Sequence, residues 1–192
     1  MLQGSSEAST KAFGDEFVKV GMSASKTCGQ DDNTCFSYSI RNGLEGVASA
    51  PLKNTLSPVI DIDKLYTFIS TRGTSFALYS FGLGCLNSSN ASDASSISQY
   101  RSTYSFTDAN EDISKNPMNN ICGIIVIDVN GASSPNQWGR DVFGLWITDN
   151  GKLDLTPFGN KNDKKLREDS CTENNSLGCA ATIINAGWEM KY

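Results

Sequence analysis

Oxygen-bearing side chains gather in one stretch of this chain. Asp128, Asn130, Asn136 and Asp141 fall within ICGIIVIDVNGASSPNQWGRDVFGLWITDNGK, residues 121–152. Two chemistries suit that spacing. Carboxylate and amide oxygens, joined by loop carbonyls, can surround a hard cation such as Ca²⁺, which takes about 6–8 oxygen ligands. The same residue types also hydrogen-bond their own backbone and shape turns, and Gly131 and Pro135 are ordinary turn formers. Arg140 could neutralise Asp128 without any metal. The sequence leaves both readings open.

Cysteine supplies the second set: Cys28, Cys35, Cys85, Cys122, Cys171 and Cys179. The number is even, no pair has CxxC spacing, and the chain contains no histidine to complete a zinc site. Three disulfides in an exported protein are favoured over six buried thiols in a cytosolic one. Six cysteines allow about 15 connectivities. Proximity pairs Cys28 with Cys35 and Cys171 with Cys179, which leaves Cys85 for Cys122.

The missing histidine also removes the Ser-His-Asp and Cys-His nucleophile arrangements. No catalytic residue is expected. Asp61 with Asp63, and Glu168 with Asp169, are the carboxylate pairs that a hydrolase could use; they read as solvated faces and loop ends. Asn87, Asn90 and Asn174 open N-x-S sequons that read as Asn/Ser-rich loop. Trp138 reads as core, with an exposed binding aromatic as the alternative. A net charge of −5 with no basic stripe argues against a nucleic-acid partner.

These residues must be positioned by one domain, since the chain has 192 residues. Met1–Ser6 (MLQGSS) reads as an expression scar, and the native N-terminus is expected upstream. An amphipathic helix is expected over 7–25, because Phe13, Phe17, Val20 and Ala24 form one apolar stripe. Loops and an antiparallel sheet are expected over 36–192. Leu65–Ile69 and Ser75–Phe81 flank a Gly turn and predict a hairpin; a helix through Ile62, Leu65, Tyr66 and Ile69 competes. Ser/Asn-rich residues 87–98 predict a surface loop, and Tyr100–Phe106 an edge strand. The run 121–152 predicts three strands, the last two joined by a type I′ turn at Asn150-Gly151. Trp188 and Tyr192 are expected to dock the C-terminus. The fold expected is α+β: an N-terminal amphipathic α-helix packed on an antiparallel β-sheet, with disulfide-stapled loops.

Four stretches resemble the soluble domain of type IV pilin-like proteins, the minor pilins and type II secretion pseudopilins. The helix at 6–24 resembles the exposed half of the pilin N-terminal helix. Tyr66–Phe81 (YTFISTRGTSFALYSF) resembles the strand–Gly turn–strand that follows it, with Arg72 where Asp is more usual. Ile125–Phe143 (IVIDVNGASSPNQWGRDVF) resembles the D-x-N-G-x3-P-N-x2-G-x-D-x-F segment of one bacterial subgroup. Cys179–Tyr192 (CAATIINAGWEMKY) resembles that subgroup's cysteine-closed C-terminus. Together they span about half the chain. The resemblance implies a Gly-terminated leader, a methylated N-terminal residue and an apolar half-helix, none of which is in this sequence. It also implies a non-catalytic filament subunit, anchored in the inner membrane before assembly. Its partners would be other pilin or pseudopilin subunits, at the cell surface or in the periplasm. The alternative is an adhesive module that binds a receptor or glycan. Some pseudopilins carry calcium, so the resemblance also favours Ca²⁺ at Asp128, Asn130, Asn136 and Asp141.

Overall fold

A computed structural model gives the architecture. The described residues are 6–21, 23–30, 32–46, 48–49, 52, 60, 62–82, 85–87, 118, 120–131, 133–149, 151–160 and 171–190. The chain order is α1 (Ser6–Gly21), β1 (Ala24–Gly29), β2 (Arg41–Asn42), β3 (Ala48–Ser49), β4 (Tyr66–Ser70), β5 (Ser75–Ser80), β6 (Leu86–Asn87), β7 (Asn120–Asp128), β8 (Val142–Asp149), β9 (Leu153–Pro157) and α2 (Cys179–Asn185). The main sheet runs β1-β4-β5-β7-β8-β9, with β6 paired to β7, while β2 and β3 pair separately. Each of these strand pairings is antiparallel.

β7 reads NICGIIVID, a nearly unbroken apolar run, because both of its faces are covered. Its side chains alternate between two clusters. Ile124 and Val126 join Ala77, Tyr79, Val142 and Trp146 in the larger one, which is closed by Phe36, Ile40, Leu52, Ile60, Leu65, Trp138 and Phe158. Cys122 and Ile125 join Tyr66, Phe68, Phe76, Leu78 and Ile147 in the smaller one.

The expected architecture of an N-terminal helix packed on a sheet is corrected by this arrangement. Among the described residues the chain is mostly an antiparallel sheet, six strands along its main path, with two short helices of 16 and 7 residues. The larger core lies on the face away from α1 and is closed by loop residues, Trp138 and Phe158. Among the described side chains, α1 brings Phe13, Phe17 and Val18 to the smaller cluster. Gly14 lets it approach β4, where any Cβ would overlap the Tyr66 ring. Tyr66 donates to Asp15 at 2.8 Å; burial and then that carboxylate push the phenol up to about 12. The helix stops at Gly21, and Ala24, which fits the helical stripe, instead begins β1 opposite Ser70.

Both expected hairpins form. β4 and β5 pair from Tyr66↔Leu78 to Ile69↔Ser75, and a 3-10 turn, Ile62–Lys64, takes the place of the competing helix. β8 and β9 close at Asp149↔Leu153, so the loop is longer than a two-residue type I′ turn. Gly151 there has φ +87° and donates to the Asp149 carboxylate. Trp188 is 76% exposed, so it does not dock the C-terminus. Tyr192, Tyr100–Phe106, Asp61, Glu168 and Asp169 lie outside the described residues, as does nearly all of the Ser/Asn-rich loop. No described helix is long and apolar enough to cross a membrane.

Candidate functional site

β7 ends at Asp128 and β8 begins at Val142, its registered partner. The chain between them folds back on itself: Val129 donates to the Asp141 carbonyl at 2.8 Å. Gly131, at φ +68°, lies so close to Gly73 that a Cβ would come within 2.5 Å of the Gly73 carbonyl. The Ser134–Pro135 bond is cis, and Asn136 has φ +40°. This compact loop gathers all four oxygen-bearing residues. Asp128, Asn136 and Asp141 are buried, at 0%, 8% and 4% exposure.

The carboxylates are held by loop amides. The Asn130 N–H donates to Asp128 Oδ1 at 3.3 Å, and Asn130 Nδ2 donates to Asp141 Oδ2 at 3.0 Å. The Gln137 N–H donates to Asp141 Oδ1. The Asn136 amide end lies 2.9 Å from Asp128 Oδ2, 3.2 Å from the Gly131 carbonyl and 3.0 Å from the Ser133 carbonyl; with its nitrogen inward, all three are within donor reach. Arg140 is exposed and, among the described residues, forms no ion pair with Asp128. Burial, and then the charge of Asp141, push the Asp128 carboxyl up to about 7, against the N–H groups of Asn130 and Gly131.

The loop also clamps distant segments. Gln137 Nε2 donates to the carbonyls of Gly43 (2.6 Å) and Leu44 (2.7 Å) beside β2. The Leu44 N–H donates to the Thr172 carbonyl, and Asn42 accepts from both the N–H and the hydroxyl of Ser176. Gly139, at φ +79°, faces Cys179, whose Sγ lies 2.7 Å from where a Cβ would stand. Trp138, beside it, is core at 0% exposure rather than a binding aromatic.

Cysteine pairing is as proximity suggests: Cys28–Cys35, Cys85–Cys122 and Cys171–Cys179. The Asp149 carboxylate lies near Cys85 and Cys122, whose sulfurs are joined to each other. One site residue escapes sequence reasoning. Ser75 is fully buried, its hydroxyl has no hydrogen-bond partner, and it pairs across the sheet with Asp128. Only the strand register could have found it.

This arrangement gathers the buried oxygens of Asp128, Asn136 and Asp141 in one loop, suited to holding a cation or fixing a turn. No family model, curated protein or solved structure matches the chain.

Proposed function

We propose that the chain is a structural, non-catalytic subunit of a type IV pilus or type II secretion pseudopilus, in which the disulfide-stapled body faces the outside of a helical filament. The observation that carries this reading is that the four resembling stretches pack in pairs. α1 meets the β4–β5 hairpin through Tyr66–Asp15 and through Thr10, which donates to the Ser80 carbonyl. The Asp/Asn loop meets the C-terminal segment at Gly139 and Cys179. Asp128, Asn136 and Asp141 are buried in the loop that makes the second of these joints, as suits architecture. Disulfides suit an oxidising compartment outside the cytosol.

The test is the full-length protein made from its own gene in its own cell type. The upstream codons are expected to encode a short basic leader, a Gly, and an apolar run with Glu at its fifth position. The chain is expected in sheared surface filaments or in membrane-bound pseudopili. A cleavable secretory signal with all of the protein free in the medium would end the filament reading. An adhesive second reading draws on the exposed Trp188 and Met190; silence on a glycan array and against host cells would remove it.

Calcium is the ion the loop suits. Asp128 and Asp141 are buried beside each other without an ion pair among the described residues, and the orphan Ser75 hydroxyl adds a further hard oxygen. Asp128, Asn136 and Asp141 would hold Ca²⁺, which would supply charge balance and rigidity to the loop.

A further inference from the structure

We propose that the Ser75 hydroxyl, on the strand beside the loop, is a ligand of a hard divalent cation seated at Asp128, and that Asn136 turns its amide oxygen toward the same ion. The inference rests on the calcium reading and adds two residue roles to it.

Ser75 carries the first half. A buried hydroxyl without a partner costs on the order of 1–3 kcal/mol, so such groups are rare unless something else satisfies them. Ser75 is fully buried, unpartnered and registered opposite Asp128 on the same face of the sheet. Its Oγ lies 3.5 Å from where a Cβ on Gly131 would stand, which places it against the loop backbone. A plain packing role would be met equally well by Ala. The hydroxyl is a hard oxygen placed at a carboxylate.

Asn136 carries the second half. Its amide end faces three acceptors: Asp128 Oδ2, the Gly131 carbonyl and the Ser133 carbonyl. An amide nitrogen has two protons, so one acceptor is left short. With the amide reversed, four oxygens gather, about 3 Å apart around the Asn136 oxygen; only a cation among them makes that tolerable. The outer end permits either state, because the Ser37 hydroxyl at 3.2 Å can donate or accept. With the Ser75 hydroxyl, on the strand residue opposite Asp128, the protein would offer five oxygens, within the range Ca²⁺ uses once water is added.

The experiment uses the whole chain with its disulfides intact, freed of metal with EDTA and dialysed. Calcium alone is titrated by calorimetry, and melting is followed in EDTA and in excess Ca²⁺. For the unchanged protein, Ca²⁺ is expected to bind and raise Tm. Ser75→Ala is expected to weaken Ca²⁺ binding by roughly tenfold or more, while its Tm in EDTA stays level or rises. Asn136→Asp, which fixes an oxygen inward, is expected to bind Ca²⁺ more tightly and melt lower in EDTA. If the unchanged protein neither binds Ca²⁺ nor shifts in Tm, the calcium reading itself fails. If it binds and Ser75→Ala binds equally well, calcium stands and the role of Ser75 is overturned. A Ser75→Ala variant that loses stability equally with and without Ca²⁺ would make Ser75 a packing residue only.

Discussion

Asp128 is the residue at which charge and packing conflict. Burial and the neighbouring Asp141 push its carboxyl up to about 7, against about 3.9 in an unfolded chain. The folded protein therefore binds this proton more tightly than the unfolded chain does. In metal-free protein the resulting stability is fully present below about pH 4 and is lost as pH rises toward about 7. The slope across that window is at most on the order of 1 kcal/mol per pH unit. Asp128→Asn is expected to flatten this slope and to melt above the unchanged protein at pH 8 in EDTA. Melting curves at pH 5 and pH 8 decide it, and parallel behaviour of the two proteins would refute the assignment. Calcium works in the opposite sense, because it holds the carboxylate ionised; the loss at pH 8 is expected to shrink when Ca²⁺ is added. Gly139 is the other sensitive position. Its φ of +79° and its approach to Cys179 and Ser176 leave no place for a side chain. Gly139→Ala is expected to lower stability by about 2 kcal/mol or more, measured by urea unfolding.

Among the elements, β9 has the most exposed edge. It ends the sheet, and Leu153 and Leu155 are 62% and 49% exposed on it. An apolar edge strand invites pairing with another chain. Two local features oppose this. Phe158 donates to Gly144, so alternation turns the backbone groups of Leu153, Leu155 and Pro157 outward. The Asp154 carboxylate accepts the Leu155 N–H at 2.8 Å, and Pro157 has no N–H to offer. Asp154→Ser combined with Pro157→Thr is expected to leave the fold intact but promote self-association, seen by light scattering; a monomer at high concentration would count against the edge argument. Elements of this kind were legible where local chemistry decided them. The two hairpins follow from Gly turns between apolar runs, and the burial of β7 follows from its composition. The end of α1 was misread because Ala24 continues the apolar stripe, whereas pairing with Ser70 claims it for β1. The layer order was misread because the larger core is closed by residues scattered from Phe36 to Phe158, which carry no periodic signal. The four loop oxygens were legible from spacing; Ser75 was not, since its place depends on the register between β5 and β7.

At the scale of the whole molecule, two disulfides tie loops to the main sheet and a third ties one to α2, and they are not equivalent. Cys85–Cys122 has a sequence separation of 37, against 7 for Cys28–Cys35 and 8 for Cys171–Cys179. In the chain-entropy model the longest loop stabilises by about 4 kcal/mol and the short ones by about 2.5 kcal/mol each. Paired Ser replacements are therefore expected to lower the urea midpoint most for Cys85 and Cys122. Cys171–Cys179 should stand apart in a second way. Its loop reaches the oxygen site through Thr172, Leu44 and Gln137, and through Ser176 and Asn42. Cys28–Cys35 closes the loop after β1, where Lys26 donates to Thr34, and meets the site at one point, where the Ser37 hydroxyl lies 3.2 Å from the outer end of the Asn136 amide. Replacing Cys171 and Cys179 is accordingly expected to weaken Ca²⁺ binding more than replacing Cys28 and Cys35, despite a similar loss of stability. Calorimetric titration of the two variants, both held well below their melting temperatures, separates the effects. Equal affinities would mean that the clamp transmits nothing. A larger loss for the Cys171–Cys179 variant would mean that the C-terminal loop and the oxygen site act as one unit.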